Sequence, residues 1–256
     1  MIHLLVLLPL GGALLAWLVP DNRLRPLVLP TIAIPHLLFS LYLIGRQTEA
    51  AHGGWIHLDP LGKITLLAIS SLFAVCSVYA VGYLAYRQDR SNRVLCLGLL
   101  VCLAAMSLVT LCQHLGLLWV AVEATTVSMA PLIYFNRNAR SIEATWKYLM
   151  ICSVGIALAL LGLLFLAYAT HVAHQEATLL LPDLLKAAPG LHRSWLHAAF
   201  IFLLVGYGSK MGLAPLHTWK PDAYGEAPGL VGALLAGGLV SCAFLAILRV
   251  YQVCLA

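Results

Sequence analysis

Two charged residues lie deep inside otherwise apolar stretches of the chain. Glu123 lies in the stretch 115–126 and Lys210 in the stretch 202–212. Placing either charge at the centre of a bilayer costs about 2.5–3.5 kcal/mol on insertion scales, so each should face other helices or water and have a partner. A buried carboxylate beside an ammonium group is a tunable proton site. The sequence therefore predicts proton or ion movement at this pair, with a structural salt bridge or a snorkelling lysine as the alternative.

The segment around Lys210 carries signals for a broken helix. Gly212 follows it closely, and Pro215 lacks the N–H that would bond the carbonyl of Met211. Free backbone groups are tolerated at membrane depth only where protein or water satisfies them. We therefore expect a helix break and a hydrated cavity near Lys210. An ordinary proline kink used for packing is the alternative.

Two further residues are candidates for proton transfer. His217 follows the predicted break and could relay protons near neutral pH, although a histidine at a helix end can equally be interfacial. Lys147 is predicted to lie at the start of the sixth helix, beside Glu143 and Trp146. It either modulates Glu123 electrostatically or anchors the helix at the cytoplasmic surface.

The elements that must position these residues are membrane-spanning helices. The 256 residues are 62% hydrophobic and 10% charged, a composition that cannot cover a water-soluble globule. The opening segment lacks a basic n-region and is interpreted as a retained first span. Windows of about 20 residues predict one all-α membrane domain over residues 1–256 with about eight transmembrane helices and a broken seventh helix. These helices are expected near 2–19, 27–45, 61–85, 94–112, 115–135, 147–169, 197–218 and 229–252.

The distribution of lysine and arginine predicts the orientation. Nine of them fall on one side: Arg23, Arg25, Arg87, Arg90, Arg93, Arg137, Arg140, Lys147 and Lys220. Four fall on the other side: Arg46, Lys63, Lys186 and Arg193. The positive-inside rule places the first group in the cytoplasm and the N-terminus outside. Arg249 stays uncounted because its depth is unclear from the sequence.

Other patterns do not indicate a cofactor or nucleotide site. The seven cysteines form no CxxC pair and lie almost entirely in apolar runs, so they are expected to pack as small hydrophobes. The glycines before Lys210 lack the Walker A spacing. Histidines cluster around the long connection 170–196 without a complete ligand set, so no metal site is predicted. These histidines are His171, His174, His192 and His197. Within this connection, residues 179–185 are predicted to form a short interfacial amphipathic segment.

Over residues 115–250 the chain resembles the antiporter-like proton-translocating subunits of complex I, multi-subunit cation antiporters and membrane-bound hydrogenases. The likeness is greatest to the large antiporter-like subunit of hydrogenase-4 and formate hydrogenlyase-type complexes. The motifs that carry it are Trp119-Val-Ala-Val-Glu123-Ala-Thr-Thr, Glu143-Ala-Thr-Trp-Lys147-Tyr, Gly208-Ser-Lys210-Met-Gly-Leu-Ala-Pro215-Leu-His217-Thr-Trp219, Pro221-Asp222-Ala and Glu226-Ala-Pro228.

The resemblance implies a glutamate on the fifth helix paired with a lysine on a broken seventh helix, which fall on Glu123 and Lys210. A further lysine at the start of the sixth helix falls on Lys147. It also implies an N-terminus facing away from the cytoplasm and no redox centre. The chain differs from the family pattern in having Ser241 where many relatives have a lysine, and in the extra charge of Lys220.

The family usually has about fourteen helices, so the chain is interpreted as the N-terminal half of such a subunit. We expect a half-channel that translocates protons or, as a less favoured alternative, sodium ions. It would belong to an oxidoreductase complex of the inner membrane and would itself bind no cofactor. Its partners would be other membrane subunits, with another polypeptide supplying the remaining helices, and lipid, but not nucleic acid. A structural or assembly subunit, or a truncated product without transport, are the alternatives.

Overall fold

A computed structural model describes residues 1–47, 49–173 and 178–256. About 80% of the chain is helical, and no strand forms among the described residues, which confirms the predicted all-α class. The helices are α1 Leu4–Leu18, α2 Val28–Ile44, α3 Pro60–Tyr86, α4 Arg93–Leu111, α5 Leu115–Ile133, α6 Ala139–Val172, α7 Leu181–Ala187, α8 Arg193–Met211, α9 Trp219–Glu226, α10 Gly229–Ala233 and α11 Val240–Leu255.

Six helical stretches of the described chain are long and apolar enough to cross a membrane. A π-helical segment, Leu234–Leu239, joins α10 and α11 into the last of them. The six stretches are 25–44, 60–86, 93–111, 115–136, 139–172 and 229–255. Helix α1 is apolar but has only 15 residues, and α8 has 19 residues but is not among these six stretches. The predicted count of eight spans is therefore not reached on these criteria.

The sixth predicted helix begins earlier than expected. We predicted its start at Lys147, but α6 begins at Ala139. The Asn138 side chain accepts a hydrogen bond from the backbone of Ser141, whose hydroxyl accepts one from the Asn138 N–H. This capping box satisfies the first free donors of the helix and fixes its start. Lys147 consequently lies about two turns inside α6.

The polar connections collect at the two ends of the bundle. At the first end, the connection after α1 meets that after α3, where Asn92 donates to the Asn22 carbonyl. The connection after α5 joins this end because Arg90 donates to the Asn136 carbonyl. The loops that we grouped by charge thus lie together, and their orientation across a membrane stays a prediction.

The second end is held by short extended segments. The Gln113 N–H donates to the Trp55 carbonyl, and the Leu115 N–H donates to the Leu179 carbonyl. Helix α7 follows directly, with Leu181 and Leu184 buried. The connections before α3, before α5 and before α7 are therefore packed against one another. His174, one of the histidines named above, lies outside the described residues.

Candidate functional site

Glu123 and Lys210 meet between α5 and α8. The Lys210 Nζ lies 3.5 Å from the Glu123 Oε2, with 4% of the lysine side chain and 26% of the glutamate side chain exposed. The Thr126 hydroxyl donates to the same carboxylate oxygen over 2.9 Å. Charge-assisted hydrogen bonds of this type usually measure about 2.7–2.9 Å, so the pair is in ionic contact without a tight hydrogen bond.

Lys210 stands at the end of its helix rather than in the middle. Helix α8 ends at Met211, and Gly212 adopts a left-handed conformation with φ of +75°. The Leu213 N–H then donates to the Gly208 carbonyl over 2.8 Å, as in a Schellman motif. Seven residues, 212–218, then connect α8 to α9 through a largely exposed turn that contains Pro215. The C-terminal carbonyls of α8 favour a cation at Lys210.

Close packing of α6 against α8 sets the position of Lys210. A Cβ atom at Gly206 would lie 2.6 Å from the Ala159 backbone nitrogen, and one at Gly155 would lie 2.7 Å from the Ser209 Cβ. Such distances are available only to glycine, which allows helix backbones to approach closely. Helix α5 is tied to the same unit, since the Trp119 indole donates to the Ile156 carbonyl over 2.8 Å.

Lys210 and two tyrosines of α6 and α8 have buried polar atoms without hydrogen-bond partners in the described part of the chain. Among the described residues, the Lys210 Nζ, the Tyr148 hydroxyl and the Tyr207 hydroxyl are buried and form no hydrogen bond. The Tyr148 ring lies 5.9 Å from the Lys210 Nζ and packs edge-on against Trp219. Buried polar atoms in proteins are normally paired, so this region has hydrogen-bonding capacity that the protein itself does not use.

Lys147 forms a separate ionic cluster at the first end. Its Nζ lies 2.6 Å from Glu143 and 2.8 Å from Asp222, and 45% of its side chain is exposed. Helix α9 is thereby linked to α6. Lys147 forms no ion pair with Glu123 in the described structure, but the next residue, Tyr148, contacts Lys210.

His217 is not part of either cluster. Its side chain is exposed in the turn between α8 and α9 and forms no hydrogen bond or ion pair with another described residue. Lys220, three residues later, lies against Gly212 and is partly buried, which lowers the pKa of its ammonium group. Ser241, at the position where a lysine was expected from the resemblance, donates to the Gly237 carbonyl of its own helix. No group of metal ligands forms among the described residues.

A second buried ion pair was missed by sequence reasoning. The Arg249 guanidinium, fully buried in α11, lies 2.7 Å from Asp59 and donates to the backbone carbonyls of Val109, Thr110 and Cys112 at the end of α4. Asp59 in turn caps α3 by accepting from the Gly62 N–H. The signal available in the sequence was an arginine within the last apolar run.

A buried histidine was also missed. His36 lies in α2 with 0% exposure, in contact with Ser70 of α3 and Ser107 of α4. The sequence signal is a histidine inside an apolar helix with Ser40 one helical turn later. This cluster is distinct from the Glu123–Lys210 pair.

Residues 112–256 match the protein family described as NADH:quinone oxidoreductase/Mrp antiporter, TM. The match covers more than half of the chain. The chain belongs to this family. This confirms the resemblance drawn from the motifs, and the matched region contains Glu123, Lys147 and Lys210. Asp59 and His36 precede it.

Two curated relatives of this family show how much of a subunit the chain represents. The hydrogenase-4 component F homolog of Methylacidiphilum infernorum is 30% identical over 95% of this chain and 52% of its own length. The F420H2 dehydrogenase subunit N of Methanosarcina mazei is 32% identical over 78% of this chain and 40% of its own length. The chain thus spans about half the length, or less, of these relatives.

Solved structures show the same fold. A chain of the membrane-bound sulfane sulfur reductase, an archaeal respiratory membrane complex, superposes with a TM-score of 0.85 at 20% identity, over 96% of this chain and 52% of that one. A chain of respiratory complex I from Thermus thermophilus superposes with a TM-score of 0.80 at 24% identity, over 97% of this chain and 52% of that one. These two structures therefore share the fold of this chain.

Proposed function

We propose that this chain forms a proton half-channel within a respiratory or hydrogenase-type membrane complex, with Glu123 and Lys210 as the exchanging groups. The observation that carries the proposal is the buried Lys210 Nζ, which lies 3.5 Å from a carboxylate and has no hydrogen bond within the described structure. An ammonium group held so loosely at a helix terminus can be neutralised by proton transfer without breaking a network. Proton rather than sodium movement is favoured because no group of three or more His, Cys, Asp or Glu side chains that could hold a metal ion forms among the described residues.

The helix break supports this function. It opens the end of α8 next to Lys210, and the Tyr148 hydroxyl, which has no hydrogen bond within the described residues, belongs to a ring 5.9 Å from the Lys210 Nζ. Proton transfer requires hydrogen-bonding groups within reach of each exchanging atom. Lys147 lies beyond Tyr148 toward the first end, where we propose that its cluster with Asp222 supplies protons. His217, exposed in the turn after the break, is proposed as an auxiliary acceptor.

The orientation and partners follow from the charge distribution and from the relatives. We propose that α1 and α8 also cross the inner membrane, which gives eight spans with the N-terminus outside and the first end in the cytoplasm. Helix α8 supports this because it runs along the spanning helix α6 in close glycine contact. Other membrane subunits, including a polypeptide equivalent to the remainder of the relatives, would complete the pathway. Electron transfer would take place in those partners, since we assign no cofactor to this chain.

The test is proton uptake by proteoliposomes that contain the intact complex. Glu123→Gln and Lys210→Met should each reduce the uptake rate by about tenfold or more, while the complex assembles normally and retains electron transfer. Matched controls are Asp183→Asn and Lys186→Met, which remove an exposed ion pair on α7 and should leave uptake unchanged. Normal uptake in both pair variants would assign Glu123 and Lys210 a structural role.

A further inference from the structure

A second group of buried polar side chains lies between α1, α2, α3 and α4. The His36 Nε2 lies 3.1 Å from the Leu5 carbonyl and 3.0 Å from the Ser107 hydroxyl. Its Nδ1 lies 3.1 Å from the Ser70 hydroxyl, which is 3.0 Å from the Ser40 hydroxyl. All four side chains are at most 2% exposed. One imidazole is therefore hydrogen-bonded through both ring nitrogens inside an apolar bundle.

The first ring nitrogen must carry a proton at all times. Pro9 lacks the N–H that would normally bond the Leu5 carbonyl four residues earlier, so this carbonyl requires another donor. The Ser107 hydroxyl already donates to the Leu103 carbonyl over 2.8 Å, so it can only accept from His36. The hydrogen-bond network thus assigns the proton to Nε2. Any change in protonation must occur at Nδ1.

The second ring nitrogen faces a hydroxyl pair that can reverse its direction. When the imidazole is neutral, the Ser70 hydroxyl donates to Nδ1. When it is protonated, Nδ1 donates to Ser70, which turns its own proton toward Ser40. The Ser40 hydroxyl donates in both cases to the His36 backbone carbonyl over 2.8 Å. The imidazolium then donates charge-assisted hydrogen bonds through both nitrogens, which partly offsets the cost of burying its charge.

No other charge is positioned to decide the protonation state. Helix α1 carries no titratable side chain. Those on α3 are Lys63, Cys76, Tyr79, Tyr83 and Tyr86, and those on α4 are Arg93, Cys96 and Cys102. Within the described residues, none of them forms a hydrogen bond or ion pair with the imidazole. Within the described residues, the protonation state of the imidazole therefore depends on its burial, the Leu5 carbonyl and the serine hydroxyls.

We infer that His36, with Ser40, Ser70 and Ser107, forms a second proton-accepting site that is separate from the Glu123–Lys210 pair. Its ligand is a single proton at Nδ1, and no bond other than N–H is made or broken. The site lies outside the region matched by the family, so the inference does not depend on the proposed function. A permanently neutral histidine that only fastens α1 to α4 is the competing explanation.

The test is infrared difference spectroscopy of the intact complex, with histidine ring labels in this chain, from about pH 8 down to the lowest pH at which the complex stays assembled. An imidazolium band should appear as the pH falls and be missing in His36→Gln. Ser40→Ala removes the acceptor that the Ser70 hydroxyl needs only when the imidazole is protonated. It should therefore lower the midpoint of the His36 titration by about one pH unit. The control Ser77→Ala removes another buried α3 hydroxyl, which bonds only its own helix, and should leave the midpoint unchanged.

Two results would overturn the inference. One is the lack of any His36 imidazolium band down to the lowest pH at which the complex stays assembled. The other is an identical midpoint in Ser40→Ala and Ser77→Ala. If His36→Gln prevents assembly, the comparison of Ser40→Ala with Ser77→Ala tests the inference by itself, because both variants retain the histidine and its bond to Leu5.

Discussion

Two buried ion pairs in this molecule are built in opposite ways. The Arg249 guanidinium lies 2.7 Å from Asp59 and donates to three further carbonyls. The Lys210 ammonium lies 3.5 Å from Glu123 and has no hydrogen bond among the described residues. Both cations are at most 4% exposed. The two cations are therefore similarly buried, and they differ in the number of hydrogen bonds that each one donates.

The difference reflects what each pair is attached to. Arg249 satisfies the last carbonyls of α4, and Asp59 caps the first turn of α3, so this pair joins two helix ends. Lys210 is tied to no second helix end, and its partner Glu123 also accepts from Thr126. A planar guanidinium with five donors suits the first role, whereas a compact ammonium that can lose its proton suits the second. The pair with several hydrogen bonds is expected to maintain the fold, and the loosely bonded pair to exchange protons.

The largest effect is expected from Arg249→Met. It would remove the cation beside Asp59, which keeps its bond from the Gly62 N–H, and the donor to three carbonyls, and should lower the free energy of unfolding by about 3–5 kcal/mol. Thermal unfolding of the purified complex, or loss of the chain from it, measures this effect. Arg193→Met, at an exposed position at the start of α8, is the control and should change little. A stable Arg249→Met variant would contradict the structural role.

A smaller effect is expected from Gly206→Ala, one turn before Lys210. The added methyl group would meet the α6 backbone at Ala159, so α8 must move outward at a cost of about 1–3 kcal/mol. Proton uptake should fall along with stability because Lys210 shifts relative to Glu123. Gly82→Ala, where no atom lies within 4 Å of the added Cβ, is the control. Full uptake in a destabilised variant would show that the pair does not depend on this contact.

Gly212→Ala should lower the free energy of unfolding by about 1–2 kcal/mol. A left-handed conformation is unfavourable for alanine, and its Cβ would also overlap the Lys220 side chain. Gly45→Ala offers a comparison, since Gly45 also follows a helix but has a negative φ and free space. Chemical denaturation of the two variants separates the conformational cost from a general effect of added methyl groups. Equal stability would argue against the glycine-dependent helix end.

The smallest change in stability is expected from Lys210→Met. The side chain gives up a single ionic contact, and Glu123 keeps its bond from Thr126 and can become neutral by taking up a proton, so stability should stay within about 1 kcal/mol of the parent. The double variant with Glu123→Gln should be no less stable than either single variant. A loss as large as that of Arg249→Met would remove the distinction between the two pairs.

Only some of the buried polar residues that matter here could be predicted from the sequence. Glu123 and Lys210 could be found because each interrupts an apolar run, and the glycine and proline after Lys210 predicted where the helix ends. Arg249 interrupts an apolar run too, but its depth depends on how α11 packs against the end of α4. His36 carries no formal charge at neutral pH, so hydropathy gives no strong signal. Its partners come from four helices, and such contacts arise only from tertiary packing.

The predicted start of α6 was wrong because of a local hydrogen-bond motif. The window method begins a helix where apolar residues dominate, whereas the capping box of Asn138 and Ser141 begins it eight residues earlier. Polar residues of the first turns belong to a spanning helix when its end extends into water. The same reasoning explains why Lys147 lies inside α6 and still contacts α9 at the surface.

Helix α6 has 34 residues, which gives a length of about 51 Å at 1.5 Å per residue. The hydrocarbon core of a bilayer is about 30 Å thick, and tilts rarely exceed about 40°. Tilting alone cannot keep a helix of this length within the hydrocarbon core, so part of α6 must extend into the headgroup region or beyond it. The Asn138 end, with Glu143 and Lys147 on its surface, suits that projection, and a rigid rod would carry any displacement of α9 directly to Tyr148 and the lysine it contacts.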